Sequence, residues 1–327
     1  MAAWERRALE HGRAGSAYFA ELLDLRSHLR STLAALIGAP EASVALTSST
    51  TEGCNIVVAG LRLRPGDEVV TTDVEHPGLL GGLRSWELDV RVARVRARPA
   101  SQALAALEAE LTPKTRLVAL SHVAWTTGAA LPVAELSRRG MPVLVDGAQA
   151  AGAIPVDVEA LGCDFYTVSG QKWLLGPDST GCLYVRSDRI EELRLSSPSY
   201  LSWEDPKELE PWPNARRFES TWLPPGSTAG LVESIAFALE VGDQRFERAR
   251  AATERCRELL QGRAEVVTEP GQGTLVSFRT EEPTADVVQR LDGQGVVVRD
   301  LPGLGWVRAS CGFWTSEEDL ERLVAGL

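Results

Sequence analysis

Two short apolar runs in the middle of this 327-residue chain each lead directly into groups able to do chemistry. Val143-Leu144-Val145 stops on Asp146, and Phe165 to Val168 runs into Ser169-Gly170-Gln171-Lys172. A β-branched run that halts on a polar residue reads as a buried parallel strand, and the carboxyl ends of such strands carry the sites of open α/β sheets. Asp146 and Lys172 can therefore share one site. An amine there can condense with a carbonyl, and a carboxylate can hold a proton on a ring nitrogen. Ser169 and Gln171, bunched with the lysine between Gly170 and Gly176, add small donors for an anion. Taken alone, the lysine reads as a side chain that lays its stem over a core strand and keeps its head in water. The acid and the donors around it favour the chemical reading.

An amine, a carboxylate and phosphate donors are the set that a pyridoxal phosphate (PLP) site needs. The residues that supply them, D-G-A-Q at Asp146 to Gln149 and S-G-Q-K-x-x-x-G-P at Ser169 to Pro177, resemble the class V aminotransferase-fold PLP enzymes. That group holds cysteine desulfurases, cyst(e)ine C–S lyases, isopenicillin N epimerase-like proteins and kynureninases. The resemblance implies a type I PLP-dependent transferase fold. It makes Lys172 the Schiff-base amine and the base for the α-proton, and Asp146 the partner of the ring nitrogen. It also implies that Gln149 bonds the phenolic oxygen and that Ser169 and Gln171 contact the cofactor. Gln171 stands where desulfurases usually carry His.

Composition limits the alternatives. With 44% hydrophobic residues the chain can bury a substantial core in one large or two moderate domains. Its net charge is -11 and its pI is near 5.0, and no dense Lys/Arg run is interleaved with aromatics. This argues against nucleic acid or an anionic membrane as a partner. The cysteines at 54, 163, 182, 256 and 311 are odd in number and lack C-x-x-C spacing. Neither a disulfide framework nor a metal site is expected, and a cytoplasmic location fits. No run resembles a signal peptide or is long enough to cross a bilayer.

Strand-like and helix-like runs alternate from residue 43 to Val185, the pattern of a doubly wound, mostly parallel sheet. Before it, Trp4 to Ile37 reads as helical, with Leu22, Leu25, Leu29 and Leu33 on one face. From Thr47 to Gly53, hydroxyls precede an apolar helix. Locally this is an N-cap with a capping-box acid at Glu52, but hydroxyls and free N–H groups at a helix start also form an anion site. The T-T-E-x-x-N pattern, ending at Asn55, is similar to the family's phosphate-binding helix start and assigns Thr50 and Thr51 to the phosphate. Glu75-His76-Pro77-Gly78 follows the next strand. A lone His there is commonly a cap, whereas the E-H-P-G run resembles the family's ring-stacking position and assigns it to His76. The strand Thr115 to Ser121 leads to His122-x-x-Trp125-x-Thr127-Gly128, a form similar to the C–S lyase branch. It places Trp125 at the substrate, with core packing an equal alternative.

Arg217-Phe218-Glu219 matches the family's R-F-E segment, which lends a phosphate contact to the neighbouring subunit of a homodimer. That contact falls on Thr221, to within one residue. The large PLP-binding domain is expected to span residues 1–222, and residues 223–327 a smaller α+β domain. In the latter, V-R-A-S-C-G-F-W-T-S-E-E-D from Val307 resembles the segment whose arginine grips the substrate α-carboxylate. Arg308 takes that role, since a guanidinium fork fixes a carboxylate in a plane, and Arg299 lies beside the same pocket by the same resemblance.

Desulfurases carry a nucleophilic Cys shortly after the arginine matched by Arg299. Asp300 to Gly305, DLPGLG, contains none, and Cys311 reads as a buried thiol. The resemblance is therefore closest to the C–S lyases. It implies PLP-dependent β-elimination on cysteine, cystine or a related S-substituted amino acid. Aminotransferase, epimerase and desulfurase outcomes share the same cofactor contacts and stay open. Family members usually begin with a further segment, often Y-L-[DN]-x-A-A, that completes the substrate pocket. This chain starts after it. If that segment is absent, the expectation shifts to a PLP-binding protein with weak or no turnover.

Overall fold

A computed structural model describes residues 1–220 and 222–327. The alternating apolar residues build a seven-stranded sheet from β1 (Val44–Thr47), β2 (Glu68–Thr72), β3 (Asp89–Ala93), β4 (Thr115–Ser121), β5 (Val143–Asp146), β6 (Phe165–Ser169) and β7 (Gly181–Val185). Their order is β1-β7-β6-β5-β4-β2-β3. From β6 to β3 neighbours are parallel, while β7 runs antiparallel to both β6 and β1, so that β1 points the same way as β6. The period of two sorts side chains onto two faces. Val118, Leu120, Val143 and Val145 join one core, and Leu117, Ala119, Leu144 and Phe165 the other. Helices cover both faces, among them Ser16–Leu36 on the first and Thr50–Gly60 and Pro77–Ser85 on the second. This is the doubly wound architecture expected.

After a short hairpin, β8 (Trp203–Asp205) and β9 (Glu210–Pro211), comes an antiparallel sheet of β10 (Glu265–Val266), β11 (Leu275–Arg279), β12 (Arg299–Leu301) and β13 (Trp306–Ser310), in the order β10-β11-β13-β12. Helices Gln244–Leu260, Thr284–Gly293 and Glu317–Ala325 pack on it around Cys256, Val276, Phe278 and Leu320. The last helix opens with a capping box, in which the Ser316 hydroxyl accepts from the Asp319 N–H at 3.2 Å and Asp319 accepts in return from the Ser316 N–H at 2.9 Å. Strand β12 begins at Arg299, opposite Arg308, and ends at Leu301, opposite Trp306. The division expected at Trp222 meets a helix, Pro225–Val241, whose Leu231, Val232 and Ile235 lie in the core of the large unit. The apolar core of the small unit draws on Gln244–Leu260 and later elements.

The helix Ser16–Leu36 buries more than its apolar stripe. Arg26 and Arg30 share the buried face with Leu22, Leu29 and Leu33, and both are paired to Glu219, itself 2% exposed. Glu219 accepts from Arg30 Nε at 3.2 Å and Nη2 at 2.6 Å, from Arg26, and from the Leu46 N–H of β1 at 3.1 Å. Burial alone would raise its pKa, but the two guanidiniums hold it below the ordinary glutamate value. Removing one member of a buried pair strands the others as uncompensated charges, a loss of about 3–5 kcal/mol. Glu219→Ala is therefore expected to lower the unfolding free energy by about that amount in urea titrations at neutral pH. Because the folded pKa is depressed, this contribution is complete above the ordinary value of 4.5 and fades as pH falls through the folded value, so the gap between the two proteins should close in acid. A neutral-pH loss of less than about 1 kcal/mol, the range of exposed pairs, would show that the triad does not hold the segment.

Candidate active site

The parallel strands end along one edge of the sheet. Ser121 is paired with Asp146, and Asp146 with Thr167, while Thr47 and Ser169 both face Gly181. The segments that leave this edge carry Thr50 and Thr51 after β1, His76 after β2, Trp125 after β4, Gln149 after β5 and Lys172 after β6. Topology thus gathers residues that lie up to 122 positions apart in the chain, Thr50 and Lys172.

Asp146 is 5% exposed, with one carboxylate oxygen accepting the Ala148 N–H at 2.9 Å. Among the described residues it has no ion-pair partner. Burial raises its pKa against the pull of that amide, of Lys172, of His76 and of the Thr50 hydroxyl. A buried acid without a partner calls for a cation, and a protonated ring nitrogen is one. Burial lowers the pKa of Lys172, with Asp146 opposing and Arg308 assisting, so that its amine sheds its proton more readily than an exposed lysine. Gly147 is required beside the acid, since a side-chain carbon there would lie 2.2 Å from the Tyr166 ring and 2.5 Å from the Thr167 carbonyl.

Around this pair the residues expected at the cofactor make specific contacts within the protein. The Thr50–Gly60 helix begins at Ser49, whose hydroxyl accepts the Glu52 N–H at 3.2 Å. Glu52 reaches back to the Ser48 N–H and hydroxyl, each at 2.6 Å, and also takes the Ser220 hydroxyl. This clasp ties the segment after Glu219 to the helix start, where unpaired N–H groups face outward. Thr50 is buried and directs its hydroxyl to Asp146, while Thr51 is exposed, its hydroxyl beside Gly78 and the His76 ring. Ser169 donates to Gln171 Oε1 at 2.7 Å, and Gln149 Oε1 accepts the Trp173 indole N–H at 2.9 Å, which leaves the Gln149 amide NH2 to donate elsewhere. Thr221 lies outside the described residues.

Arg299 and Arg308, the arginines expected at the substrate, are directly opposite each other on β12 and β13. Burial, then the charge of Arg299, brings the Arg308 pKa down to about 10. Arg308 Nη1 donates to the Trp125 carbonyl at 2.8 Å, and its Nε and the Trp125 indole N–H are buried without partners among the described residues. An acceptor on a bound ligand would satisfy buried donors of this kind. The exposed His76 ring meets Trp125 edge-on, with centroids 5.4 Å apart, and its Nδ1 accepts the Gly78 N–H at 3.1 Å. Partial burial, then the Lys172 charge, lowers its pKa and favours a neutral ring. The donor set therefore fits PLP: an amine, an acid in need of a cation, an imidazole with an open face and a helix start for an anion.

Sequence reasoning missed Glu75. Its carboxyl takes the Ser121 N–H at 2.9 Å and the Ser121 and Thr72 hydroxyls at 2.5 Å each, binding the ends of β2 and β4 together directly before His76. Burial raises its pKa to about 7 despite those bonds. The only signal was an acid beside the histidine. All five cysteines are buried, and Cys311 packs in the core of the small unit, where its contact with Cys256 and its burial raise the thiol pKa.

A family model described as aminotransferase class V matches residues 10–323. Isopenicillin N epimerase of Streptomyces clavuligerus is 34% identical, covering 91% of this chain and 82% of its own length. A probable cysteine desulfurase of Xylella fastidiosa is 30% identical, covering 91% of this chain and 78% of its own. Among solved structures, the cystine C-S lyase C-DES in complex with its product cysteine persulfide superposes with a TM-score of 0.93 at 30% identity, covering 99% of this chain and 91% of that one. A C-DES variant with glycine covalently linked to its PLP cofactor gives 0.91 at 31%, covering 99% and 90%. The fold is theirs, and the chain belongs to the class V aminotransferase family.

Proposed function

We propose that the protein is a PLP-dependent C–S lyase that releases the sulfur substituent of cysteine, cystine or a related S-substituted amino acid by β-elimination. The observation that carries this reading is the absence of a usable thiol: every cysteine is buried, and the turn after Arg299 contains none. A desulfurase needs a thiolate to take the sulfur, whereas β-elimination needs only a leaving group on Cβ.

When bound, PLP supplies an electron sink for the pair left on the substrate α-carbon. Lys172 would hold it, and the same amine, once released, would take the α-proton. Asp146 would keep the ring nitrogen protonated, His76 would stack on the ring, and the Gln149 amide NH2 would donate to the phenolic oxygen. The start of the Thr50–Gly60 helix, with Thr51, Ser169 and Gln171, would receive the phosphate. Arg308 and Arg299 would clamp the substrate carboxylate, orienting the Cα–H bond toward Lys172. A homodimer in the cytoplasm completes the proposal. The relationship to isopenicillin N epimerase supports a second reading, in which the proton returns to Cα and nothing leaves Cβ.

Purified protein supplied with PLP should be yellow, and borohydride should abolish the band and leave a mass adduct on Lys172. A protein that stays colourless would end the reading. Asp146→Asn should still bind the cofactor but lose about two or more orders of magnitude in kcat, the scale of a lost charge stabilisation. Near-normal turnover would remove Asp146 from its role. Cystine or cysteine should yield pyruvate. Cys311→Ala should keep most activity, and Arg308→Ala should raise KM about ten- to hundredfold, the worth of a hydrogen bond to a charged group. Alanine as the main product, or an inactive but folded and yellow Cys311→Ala, would favour a desulfurase instead. Exchange of the α-proton without sulfur release would favour the epimerase.

A further inference from the structure

Four consecutive backbone carbonyls of the large unit, Trp125 to Gly128, each accept a hydrogen bond from the small unit. Arg308 Nη1 reaches the Trp125 carbonyl at 2.8 Å, the Ser277 hydroxyl that of Thr126 at 2.6 Å, the Thr268 hydroxyl that of Thr127 at 2.8 Å, and the Gly273 N–H that of Gly128 at 2.9 Å. Gln272 takes the Ala130 N–H at 3.0 Å. Ser277 and Thr268 are 0% and 2% exposed, and the Thr268 hydroxyl also accepts the Ser277 N–H at 2.8 Å. Gly128 closes the contact, since a side-chain carbon there would lie 2.4 Å from the Leu275 carbonyl.

Generic packing between two units does not require this regularity. Ser277 is the cross-strand partner of Arg308 on the two central strands, so one face of the small sheet presents the hydroxyl and the guanidinium side by side to adjacent carbonyls. A serine or threonine hydroxyl has a single rotor and little freedom once buried, whereas an arginine has many. The short side chains can therefore set the geometry that the long one then uses. The Trp125 end of the strap, which Arg308 holds, also carries the indole ring against His76.

We propose that Ser277 and Thr268 are positioning residues for substrate binding. By fixing the Trp125–Gly128 strap they pin one nitrogen of Arg308 to the Trp125 carbonyl and aim the rest of the fork, and they hold Trp125 edge-on to His76. This rests on the reading of Arg308 as the carboxylate clamp. Neither residue touches the reacting atoms.

The test compares Ser277→Ala and Thr268→Val with Thr268→Ser, which keeps the hydroxyl. In the cofactor-free protein, amide hydrogen exchange over residues 125–130 and 273–277 should quicken about five- to tenfold in Ser277→Ala and Thr268→Val, the worth of one buried hydrogen bond, and stay unchanged in Thr268→Ser. In the PLP-loaded enzyme, KM for cystine should rise by a similar factor with kcat within about twofold, again without effect in Thr268→Ser. Unchanged exchange would overturn the proposal. So would faster exchange with KM intact, which would reduce the strap to a domain contact. If either variant fails to fold, Thr268→Ala, which leaves only a small gap, replaces it in the same comparison. If the wild-type protein takes up no PLP, the functional reading fails on its own. The binding of glycine by the cofactor-free protein then takes the place of KM, with the same weakening expected in the two variants and its absence overturning the proposal.

Discussion

Placing a carboxylate in the core without a cation is the constraint around which this molecule is arranged. Asp146 closes a central strand, and the protein surrounds it with partial compensation only: the Ala148 amide, the Thr50 hydroxyl and the pull of Lys172. Full compensation from the chain would leave nothing for a ligand to add. A buried acid left short of a partner gives a cationic ring its largest electrostatic gain in a place where water does not screen it. The same burial disfavours the charge of the neighbouring lysine and eases the loss of its proton.

Holding such a site open falls to groups that never reach it. Glu75 ties the ends of two strands together beneath His76, Glu52 joins the helix start to Ser220, and Glu219 anchors the segment before Ser220 to two buried arginines. Each of these acids bridges elements far apart in sequence, and each is sheltered enough for its bonds to outweigh the entropy of fixing loops. The strap from Trp125 to Gly128 does the same across the two units with hydroxyls in place of charges.

The elements with one dominant period were legible. β4 falls on Thr115 to Ser121 as the sequence indicates, and the final helix starts after the serine of its capping box. Asp146, Lys172 and His76 could be named because strand ends and short motifs mark them locally. What stayed hidden depends on partners that no window of sequence contains. Arg26 and Arg30 look misplaced on an apolar helix face until Glu219, 193 and 189 residues away, is brought to them. Ser277 and Thr268 are ordinary strand and loop hydroxyls until the carbonyls of Thr126 and Thr127, 151 and 141 residues away, arrive. The helix Pro225–Val241 shows the same limit in another form: it falls within the residues assigned to the smaller domain, but its Leu231, Val232 and Ile235 join the core of the large unit.

The burial of every thiol bears on sulfur itself. Thiol–disulfide exchange and the capture of sulfane sulfur both begin with a thiolate that can be approached. Cys54, Cys163, Cys182 and Cys311 all have raised pKa values, that of Cys163 about 12, and none of the five is at the surface. A persulfide or disulfide generated beside Lys172 would thus meet no protein sulfur with which to exchange. The chain is chemically inert toward the element it is proposed to release, and thiol reagents that disable many sulfur-handling enzymes should find little here to modify.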